Sequence, residues 1–326
     1  WIANRYREET GLDVASAQIT LTSGSAQAID NIAATFIAPG DVVITGAPTY
    51  PGAIRSFLAR GARIVDVPQD EDGLVMTALA DALASLRAAG EAVKLIYVIA
   101  NYDNPSGATL PVERREELAR LAAEHKVLVV EDDAYTGIDL EGPPPTSLYQ
   151  IARGQGILRV GTFSKTIATG LRVGWVLAAP AAIRALAFMR FDNGSAPFVH
   201  RAVYEYLQMG AYDPHVERLR AIYRERRDTA MAALLEHCGD HIEVDTPRGG
   251  FFLWLRLRNG MRAADVFEAA KRHGVAVTPG TGYYPHGGGE DRIRLVFSVL
   301  PPDQLREALA HFGAAVAEVA AATARA

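Results

Sequence analysis

Short apolar segments alternate with longer amphipathic segments through the first two thirds of the chain. The apolar segments are rich in valine and isoleucine and are typical of strands; they cover 18–22, 41–45, 63–67, 94–100, 127–131, 156–162 and 173–178. Helices are predicted between them, at 25–37, 52–60, 76–89 and 112–125. Short buried strands separated by helices predict an α/β fold, with a mostly parallel sheet that helices cover on both faces.

The pattern changes in the last third of the chain. Long helices are predicted at 197–208 and 212–236, and the second is so rich in arginine and glutamate that a solvated helix face is its simplest explanation. A hairpin around Gly249-Gly250, a helix at 263–273, two strands and an alanine-rich terminal helix follow. We interpret this part as a smaller α+β domain. The predicted division gives a large domain of residues 1–215 and a small domain of residues 216–326.

Composition narrows the class of protein. The 326 residues are 49% hydrophobic and 22% charged, which is typical of a globular protein with about two domains. The net charge of −5 gives no reason to expect binding to nucleic acid or to a membrane surface, and no apolar run is long enough to span a membrane. A single cysteine, Cys238, fits a reducing cytoplasm. The eight histidines are scattered, so we predict no metal site.

The residues that follow the predicted strands are the candidates for chemistry, because ligands gather at the carboxyl ends of parallel strands. Small residues around Ser25 open a helix after the first strand, where backbone N–H groups can bind an anion; an ordinary N-cap serine is the alternative. Tyr50 and Asn104-Pro105 follow later strands, with packing and turn formation as their alternatives. The run Glu131-Asp132-Asp133 closes an apolar strand, and buried acids of this kind need a cationic partner.

Lys165 is the most informative residue of the chain. It ends an apolar strand, hydroxyl side chains precede it, and Arg172 follows seven positions later. This arrangement suits a cofactor that is an aldehyde carrying a phosphate, since an amine can form the imine while hydroxyls and a guanidinium hold the phosphate. The alternative is a surface loop that contains a lysine and an arginine. The segment lacks the glycine spacing of a P-loop.

Together and in this order, the motifs resemble those of the fold-type I, pyridoxal-phosphate-dependent aminotransferases of class I/II. The motifs are Gly-Ser-x-Gln, Pro-x-Tyr, Asn-Pro-x-Gly, Asp-x-x-Tyr, Thr-x-Ser-Lys with an arginine seven residues later, and Arg-Leu-x-Phe-Ser. The resemblance covers essentially the whole chain. It implies a cytoplasmic, homodimeric enzyme that uses pyridoxal 5'-phosphate to move an amino group from an amino acid to a 2-oxo acid.

The resemblance also implies a role for each motif residue. Lys165 would hold the cofactor as an imine and later shuttle a proton. Asp132 would pair with the pyridine nitrogen, while strand alternation would turn Glu131 and Asp133 away from it. The other cofactor contacts would be Tyr135 and Asn104 at the phenolic oxygen, Tyr50 on the ring face and, at the phosphate, Ser25, the Ala26 amide, Thr162 and Arg172, with Ser164 as a further candidate.

The substrate carboxylate would be clamped by Arg294, with Asn104 sharing it, because a planar guanidinium matches both carboxylate oxygens. Arg292 is the competing choice. The run Asn101-Tyr102-Asp103 stands where the family more often has apolar residues, so it is a candidate for tuning substrate choice.

Several alternatives stay open at this point. The same cofactor supports elimination, decarboxylation, oxidation or carbon–carbon bond formation. Some transcription regulators join a winged-helix DNA-binding module to a domain of this kind, and the chain would then be the sensor half. It begins at Trp1, and we expect an upstream part that supplies a substrate-covering segment and a tyrosine reaching across the dimer. These motifs do not indicate which side chain the substrate carries.

Overall fold

The large sheet has eight strands in a computed structural model that describes residues 1–190, 192 and 194–325. The strands are β1 Ile19–Thr22, β2 Val42–Ala47, β3 Arg63–Asp70, β4 Gly73–Leu74, β5 Val93–Val98, β6 Leu128–Asp132, β7 Ile157–Thr162 and β8 Gly174–Leu177. Their order across the sheet is β1-β8-β7-β6-β5-β2-β3-β4, and the five central strands from β7 to β3 are parallel. The prediction of a mostly parallel sheet is confirmed.

Helices cover both faces of this sheet, also as predicted. They are α1 Ile2–Thr10, α2 Ser25–Phe36, α3 Pro51–Leu58, α4 Met76–Ala88, α5 Val112–His125, α6 Leu148–Ile151 and α7 Pro180–Phe188. Alternate strand residues feed two separate cores. Val43 and Tyr97 pack with Phe57 on one face, whereas Ile44 and Ile96 pack among helices α4 and α5 on the other.

Some of these elements have no clear signal in the sequence pattern. Helix α1 buries only Tyr6, so its apolar periodicity is weak. Helix α7 follows β8 after a short apolar connection, which hides the boundary between strand and helix. Strand β4 has two residues and helix α6 has four, too few for any period to emerge.

The small sheet is built from the last third of the chain. It contains β9 Ile242–Val244, β10 Phe252–Leu257, β11 Thr278–Pro279 and β12 Arg292–Val296, all antiparallel, in the order β11-β12-β10-β9. Helices α9 Tyr212–Cys238, α10 Ala263–Arg272 and α11 Pro302–Thr323 pack on this sheet, whereas α8 Pro197–Gln208 packs against Phe163 and Val173 beside the large sheet. Leu253 and Leu255 face the core under α9 and α11, which leaves the side chains of Phe252 and Trp254 on the opposite face of the sheet.

Helix α9 links the two sheets. Tyr212, in its first turn, packs edge-on against Phe163 at a ring distance of 5.8 Å, whereas Leu234 and Cys238 lie in the core of the small sheet. The predicted domain division near residue 215 would fall in the first turn of this helix, and it stays a prediction.

The solvated charge run predicted for α9 was wrong for one face of the helix. Arg220, Arg224 and Arg227 recur at helical spacing and turn toward the protein, where Arg220 donates to the buried Asp139 at 2.6 Å. Arg224 donates to the Leu140 carbonyl at 2.9 Å, and Arg227 is only 4% exposed. The i, i+4, i+7 spacing was the available signal, and the charge composition obscured it.

Two features are absent from the described part of the chain. No helix there is long and apolar enough to cross a lipid bilayer. No group of three or more histidine, cysteine, aspartate or glutamate side chains there could hold a metal ion, and the predicted lack of a metal site stays a prediction.

Candidate active site

The carboxyl ends of four neighbouring parallel strands gather most of the predicted site residues. Tyr50 follows β2, Asn104 follows β5, Asp132 is the last residue of β6, and Thr162 ends β7 shortly before Lys165. These strands are adjacent in the order β7-β6-β5-β2, so side chains that are far apart in sequence come to one edge of the sheet.

Asp132 has a buried carboxylate in which only one oxygen accepts a hydrogen bond from a described residue. Its Oδ2 accepts a hydrogen bond of 2.6 Å from the Tyr97 hydroxyl, and its Oδ1 has no partner among the described residues. Burial raises the pKa of Asp132 to about 6, although the hydrogen bond from Tyr97 and the charge of Lys165 both act to lower it. A buried oxygen without a donor is costly, so this position fits a ligand that brings a donor.

The neighbouring acids point away from this position, as strand alternation predicted. Asp133 Oδ2 accepts from Arg159 Nε at 3.0 Å, and Asp133 Oδ1 accepts from Asn101 at 2.8 Å. Glu131 accepts from the backbone N–H of Leu148 at 2.8 Å. Burial acts to raise the pKa of Asp133, but Arg159 and the hydrogen bonds outweigh burial and hold that pKa below its usual value.

Arg159 is the cationic partner of Asp133 and lies 3.9 Å from Glu131, and the sequence analysis did not name it. It is an interior residue of strand β7, with apolar neighbours on both sides. An arginine inside an apolar strand was the available signal, because a buried guanidinium needs an acid.

Lys165 lies within electrostatic reach of three charged site residues. Burial lowers the pKa of its amine, the positive charges of Arg172 and Arg294 lower it further, and Asp132 opposes them. The Lys165 Nζ also lies 5.9 Å from the centre of the Tyr135 ring. A lowered pKa increases the share of neutral amine, which is the nucleophilic form.

Gly24, the first residues of helix α2 and Arg172 form a cradle at the position of the predicted phosphate site. Gly24 precedes the helix with a φ of 85°, and a Cβ at this position would meet the Arg172 guanidinium at 2.5 Å. Ser25 and Ala26 are the first residues of α2, where backbone N–H groups are free of helical partners. Arg172 Nη2 also donates to the Ser23 carbonyl at 3.0 Å, which holds the guanidinium at this helix end.

The two hydroxyl residues of the lysine motif lie beside the same cradle. Thr22 at the end of β1 and Thr162 at the end of β7 are both register partners of Gly174, on opposite sides of β8. Because α2 begins three residues after Thr22, the end of β7 lies near the start of α2. The hydroxyls of Thr162 and Ser164 are hydrogen-bonded at 2.9 Å. Thr162 also donates to the Val173 carbonyl at 3.0 Å, so its hydroxyl is engaged within the chain.

Arg294 brings a cation from the small sheet to this edge of the large sheet. Its Nη1 donates to Asn104 Oδ1 at 2.8 Å, and its Nε has no partner among the residues that the structure describes. The guanidinium lies 4.3 Å from the centre of the Phe252 ring and 5.2 Å from that of Tyr283. The rings hold the guanidinium without neutralising it.

Arg292, the competing choice, has different surroundings. It lies on the same face of β12 as Arg294, but its Nε is 3.6 Å from Asp291. It lines a separate groove together with Trp254, Arg256 and Tyr284. The geometry therefore favours Arg294 at the site.

Two tyrosines complete the predicted set. Tyr135 is buried, with its ring edge-on to Phe252 at 5.6 Å, and burial followed by the Asp132 charge raises the pKa of its hydroxyl. Tyr50 immediately precedes helix α3, and its ring lies against Gly52, which has no side chain to obstruct it.

The side chains of residues 101–103 form hydrogen bonds within the protein. Asn101 bridges Asp133 and the fully buried Arg115, which donates to Asn101 Oδ1 at 2.6 Å. The Tyr102 hydroxyl donates to Asp139 at 2.8 Å. Asp103 accepts from the Ser106 hydroxyl at 2.7 Å, and burial raises the pKa of its carboxyl to about 7. These contacts give no direct support to a role in substrate choice.

The sequence model of the family "Aminotransferase class I and II" matches residues 2–312. The chain belongs to this family. Aromatic-amino-acid aminotransferase 1 of Thermococcus litoralis is 32% identical over 97% of this chain and 76% of its own length. The 2-aminoadipate transaminase of Thermus thermophilus is 31% identical over 94% of this chain and 77% of its own length. The chain is therefore an aminotransferase, a transferase of amino groups.

Solved structures agree with this assignment. The multiple substrate aminotransferase from Thermococcus profundus superposes with a TM-score of 0.92 at 31% identity, covering 97% of this chain and 79% of that one. LysN, an alpha-aminoadipate aminotransferase of Thermus thermophilus solved with N-(5'-phosphopyridoxyl)-L-leucine, gives 0.91 at 30% identity over 98% and 82%. The family and this complex imply pyridoxal phosphate as the cofactor.

Proposed function

We propose that this aminotransferase transfers an amino group from an amino acid to a 2-oxo acid in two half reactions, with pyridoxal phosphate attached to Lys165. The observation that carries the proposal is the position of the Lys165 amine. Its Nζ lies 5.9 Å from the centre of the Tyr135 ring, and Lys165 follows strand β7, whose neighbour β6 ends at Asp132. The charges of Arg172, Asp132 and Arg294 all act on the pKa of this amine, which supports a position among the proposed phosphate-binding, ring-binding and carboxylate-binding groups.

The residues fit the cofactor at each of its polar ends. Asp132 Oδ1, which no described residue donates to, would accept from the ring nitrogen. Asn104 and Tyr135 would bind the phenolic oxygen, and Tyr50 would cover the ring face. The phosphate would be held by Ser25, the Ala26 N–H, Ser164 and Arg172, and by Thr162 once its hydroxyl turns from the Val173 carbonyl. When bound, the cofactor supplies an electron sink for bond cleavage at the substrate α-carbon.

The substrate would be oriented from the small sheet. Arg294 is anchored by Asn104 and by two aromatic rings, none of which neutralises its charge, so it can bind a carboxylate with two N–H groups. A carboxylate held there would turn the α-carbon of an amino acid toward Lys165. The Lys165 Nζ would then take up the α-proton, and its lowered pKa suits that role.

We also propose the homodimer and the two-domain division. Phe188, Phe198 and Met209 are 85%, 84% and 79% exposed and lie on or beside helices α7 and α8, which supports a second copy of the chain as their cover. The division near residue 215 is supported by the separate cores of the two sheets. Light scattering on the purified protein tests the dimer, since a monomer mass at micromolar concentration contradicts it. Limited proteolysis that releases fragments divided near residue 215 would support the domains.

Borohydride reduction followed by peptide mapping tests the attachment. The pyridoxyl mass should be on Lys165, and label on Lys94, Lys126 or Lys271 instead would contradict the proposal. Lys165→Ala should lose the cofactor's protein-bound absorbance and most turnover. An absorbance-monitored screen of amino acids, with analysis for the 2-oxo acid product, would identify the substrate.

A second function has one observation in its favour. The HTH-type regulators YisV of Bacillus subtilis and NorG of Staphylococcus aureus are 31% and 28% identical to 88% and 92% of this chain, which spans 58% and 66% of their lengths. As the sensor part of such a regulator, the chain would bind cofactor and convert at most one equivalent of amino acid. Sustained turnover with an amino acid and a 2-oxo acid in excess favours the enzyme.

A further inference from the structure

The two oxygens of the Asp132 carboxylate differ, and Tyr97 creates the difference. The Tyr97 hydroxyl donates to Oδ2 at 2.6 Å, while Oδ1 is buried with no partner among the described residues. Since Tyr97 is fully buried and Asp132 is 3% exposed, water cannot freely substitute for this donor. The hydrogen bond therefore decides which oxygen is left available to a ligand.

Packing, and not Asp132, fixes where the Tyr97 hydroxyl lies. Tyr97 is on strand β5 and pairs in register with Val130 on β6, two residues before Asp132 and on the same face of the sheet. Its ring packs edge-on against Phe57 at 5.6 Å, within the core on that face. A hydroxyl anchored in this way can orient a neighbouring side chain, whereas a mobile surface group cannot.

The hydroxyl also remains a donor over the whole working pH range. Burial, followed by the charge of Asp132, raises the pKa of Tyr97 well above its ordinary value, so the phenol does not ionise. A bond from a neutral donor to a carboxylate stabilises the charged form of the acid. Without Tyr97, burial would act on Asp132 with less opposition.

We propose that Tyr97 is a positioning residue of the active site: it keeps the Asp132 carboxylate ionised and fixes its rotation, so that Oδ1 faces the ring nitrogen of the cofactor. This inference rests on the proposed role of Asp132. It assigns to Tyr97 no contact with substrate or cofactor. Its effect therefore reaches the reaction only through the carboxylate.

The test compares two ligands that differ at one atom. Pyridoxal phosphate and its 1-deaza analogue, in which a carbon replaces the ring nitrogen, are titrated into the full-length apoprotein, with dissociation constants measured by fluorescence quenching. Tyr97→Phe keeps the ring that packs on Phe57 and removes the donor. It should weaken binding of pyridoxal phosphate about tenfold and leave binding of the analogue unchanged.

The control is another buried tyrosine hydroxyl. Tyr149 is 2% exposed, and its hydroxyl accepts from Gln18 at 3.1 Å outside the site. Tyr149→Phe should affect the two ligands equally, and thermal unfolding of both variants measures any loss of folding. Tyr97→His, which can donate through an imidazole nitrogen, should recover part of the selective loss.

A pH series adds a readout that a purely structural role would not move. The charged or titratable groups around Asp132 are Tyr97, Asp133, Lys165, Asp103 and Tyr135. The ratio of the two dissociation constants reports on the ring nitrogen alone, because these groups act on both ligands. In the parent, the preference for pyridoxal phosphate should disappear as pH falls through about 6. In Tyr97→Phe it should disappear at a higher pH, because losing the donor raises the pKa of Asp132.

Asp132→Asn tests the proposed role of Asp132 separately from that of Tyr97. If Asp132→Asn keeps the parent's preference for pyridoxal phosphate over the analogue, the proposed role of Asp132 is wrong. If Asp132→Asn loses this preference but Tyr97→Phe weakens both ligands equally or neither, the role of Asp132 stands and the inference about Tyr97 is wrong.

Discussion

The acidic side chains on the two faces of strand β6 differ in how many of their carboxylate oxygens have a hydrogen-bond donor within the chain. Glu131 and Asp133 face Arg159 and backbone N–H groups, so the chain itself supplies donors to their carboxylates. Asp132, between them, faces the other side, where Tyr97 binds one oxygen and the second has no partner in the described chain. A satisfied buried acid holds the fold together, and an unsatisfied one indicates where a ligand is needed.

The same difference separates two arginines. Arg159 binds Asp133 and lies over the Tyr6 ring at 5.0 Å, so its charge is neutralised within the protein. Arg294 binds the neutral amide oxygen of Asn104, and its Nε has no partner in the part of the chain that the structure describes. Charge left uncompensated in this way is available to a substrate carboxylate.

The strongest test of this contrast is Asp132→Asn. The amide is nearly the same size and retains packing, but it cannot stabilise a protonated ring nitrogen. Turnover should fall by roughly a hundredfold to a thousandfold, the range seen when one preorganised electrostatic group is lost. Steady-state kinetics with saturating cofactor measures it, and thermal unfolding should show a folded protein.

Asp133→Asn should give the opposite profile. It leaves Arg159 buried without its main partner, which costs about 3–5 kcal/mol of unfolding free energy. Urea unfolding measures this loss, and turnover per folded molecule should stay close to the parent value. If Asp133→Asn abolishes turnover in folded protein and Asp132→Asn does not, the two faces have been assigned the wrong way round.

The sequence was most informative where one short motif carries both a strand end and its functional side chain. Asp132, Lys165 and Asn104 were predicted because each follows an apolar run within a few residues. The resemblance selected Asp132 by its place three residues before Tyr135, and the alternation rule then turned Asp133 to the opposite face, since successive side chains in a strand point to opposite faces.

The partners of these residues could not be predicted, because they come from neighbouring strands. Tyr97 and Arg159 belong to β5 and β7, and only the order β7-β6-β5 brings them beside Asp132 and Asp133. An apolar run with one tyrosine or one arginine does not reveal which strand it will adjoin. The inward face of α9 was missed for a related reason, since Asp139 and the Leu140 carbonyl, which bind it, lie far away in sequence.

The two acids should also contribute to stability with opposite dependence on pH. Asp132 has a pKa raised from 3.8 to about 6, so its contribution to apoprotein stability is present below pH 3.8 and is lost as pH rises through 6. The pKa of Asp133 is lowered, so its contribution is present above pH 3.8 and is lost as pH falls below that value.

Urea unfolding of the apoprotein between pH 3 and 7 measures both contributions. The free energy of unfolding of the parent should fall by at most about 3 kcal/mol between pH 4 and 6 because of Asp132, and Asp132→Asn should abolish this fall. Asp133→Asn should instead abolish the fall in unfolding free energy that occurs below pH 3.8. The contrast between the two acids is refuted if both variants change the profile in the same pH range and with the same sign.

The smallest expected effect concerns Arg294, whose charge, unlike that of Arg159, is not neutralised by an acid of the chain. Arg294→Lys keeps a positive charge but loses the planar pair of N–H groups, so KM for amino acids should rise about tenfold, with a smaller fall in turnover from poorer orientation. Arg294→Ala should raise KM further. Arg292→Lys, two residues earlier on the same face of β12, is the matched control and should change KM little. The cofactor should stay attached to Lys165 in all three, because Arg294 is proposed to bind substrate and not the cofactor. An Arg294→Ala enzyme that binds amino acids as tightly as the parent would move the clamp to Arg292, or would mean that the natural substrate carries no carboxylate at this position.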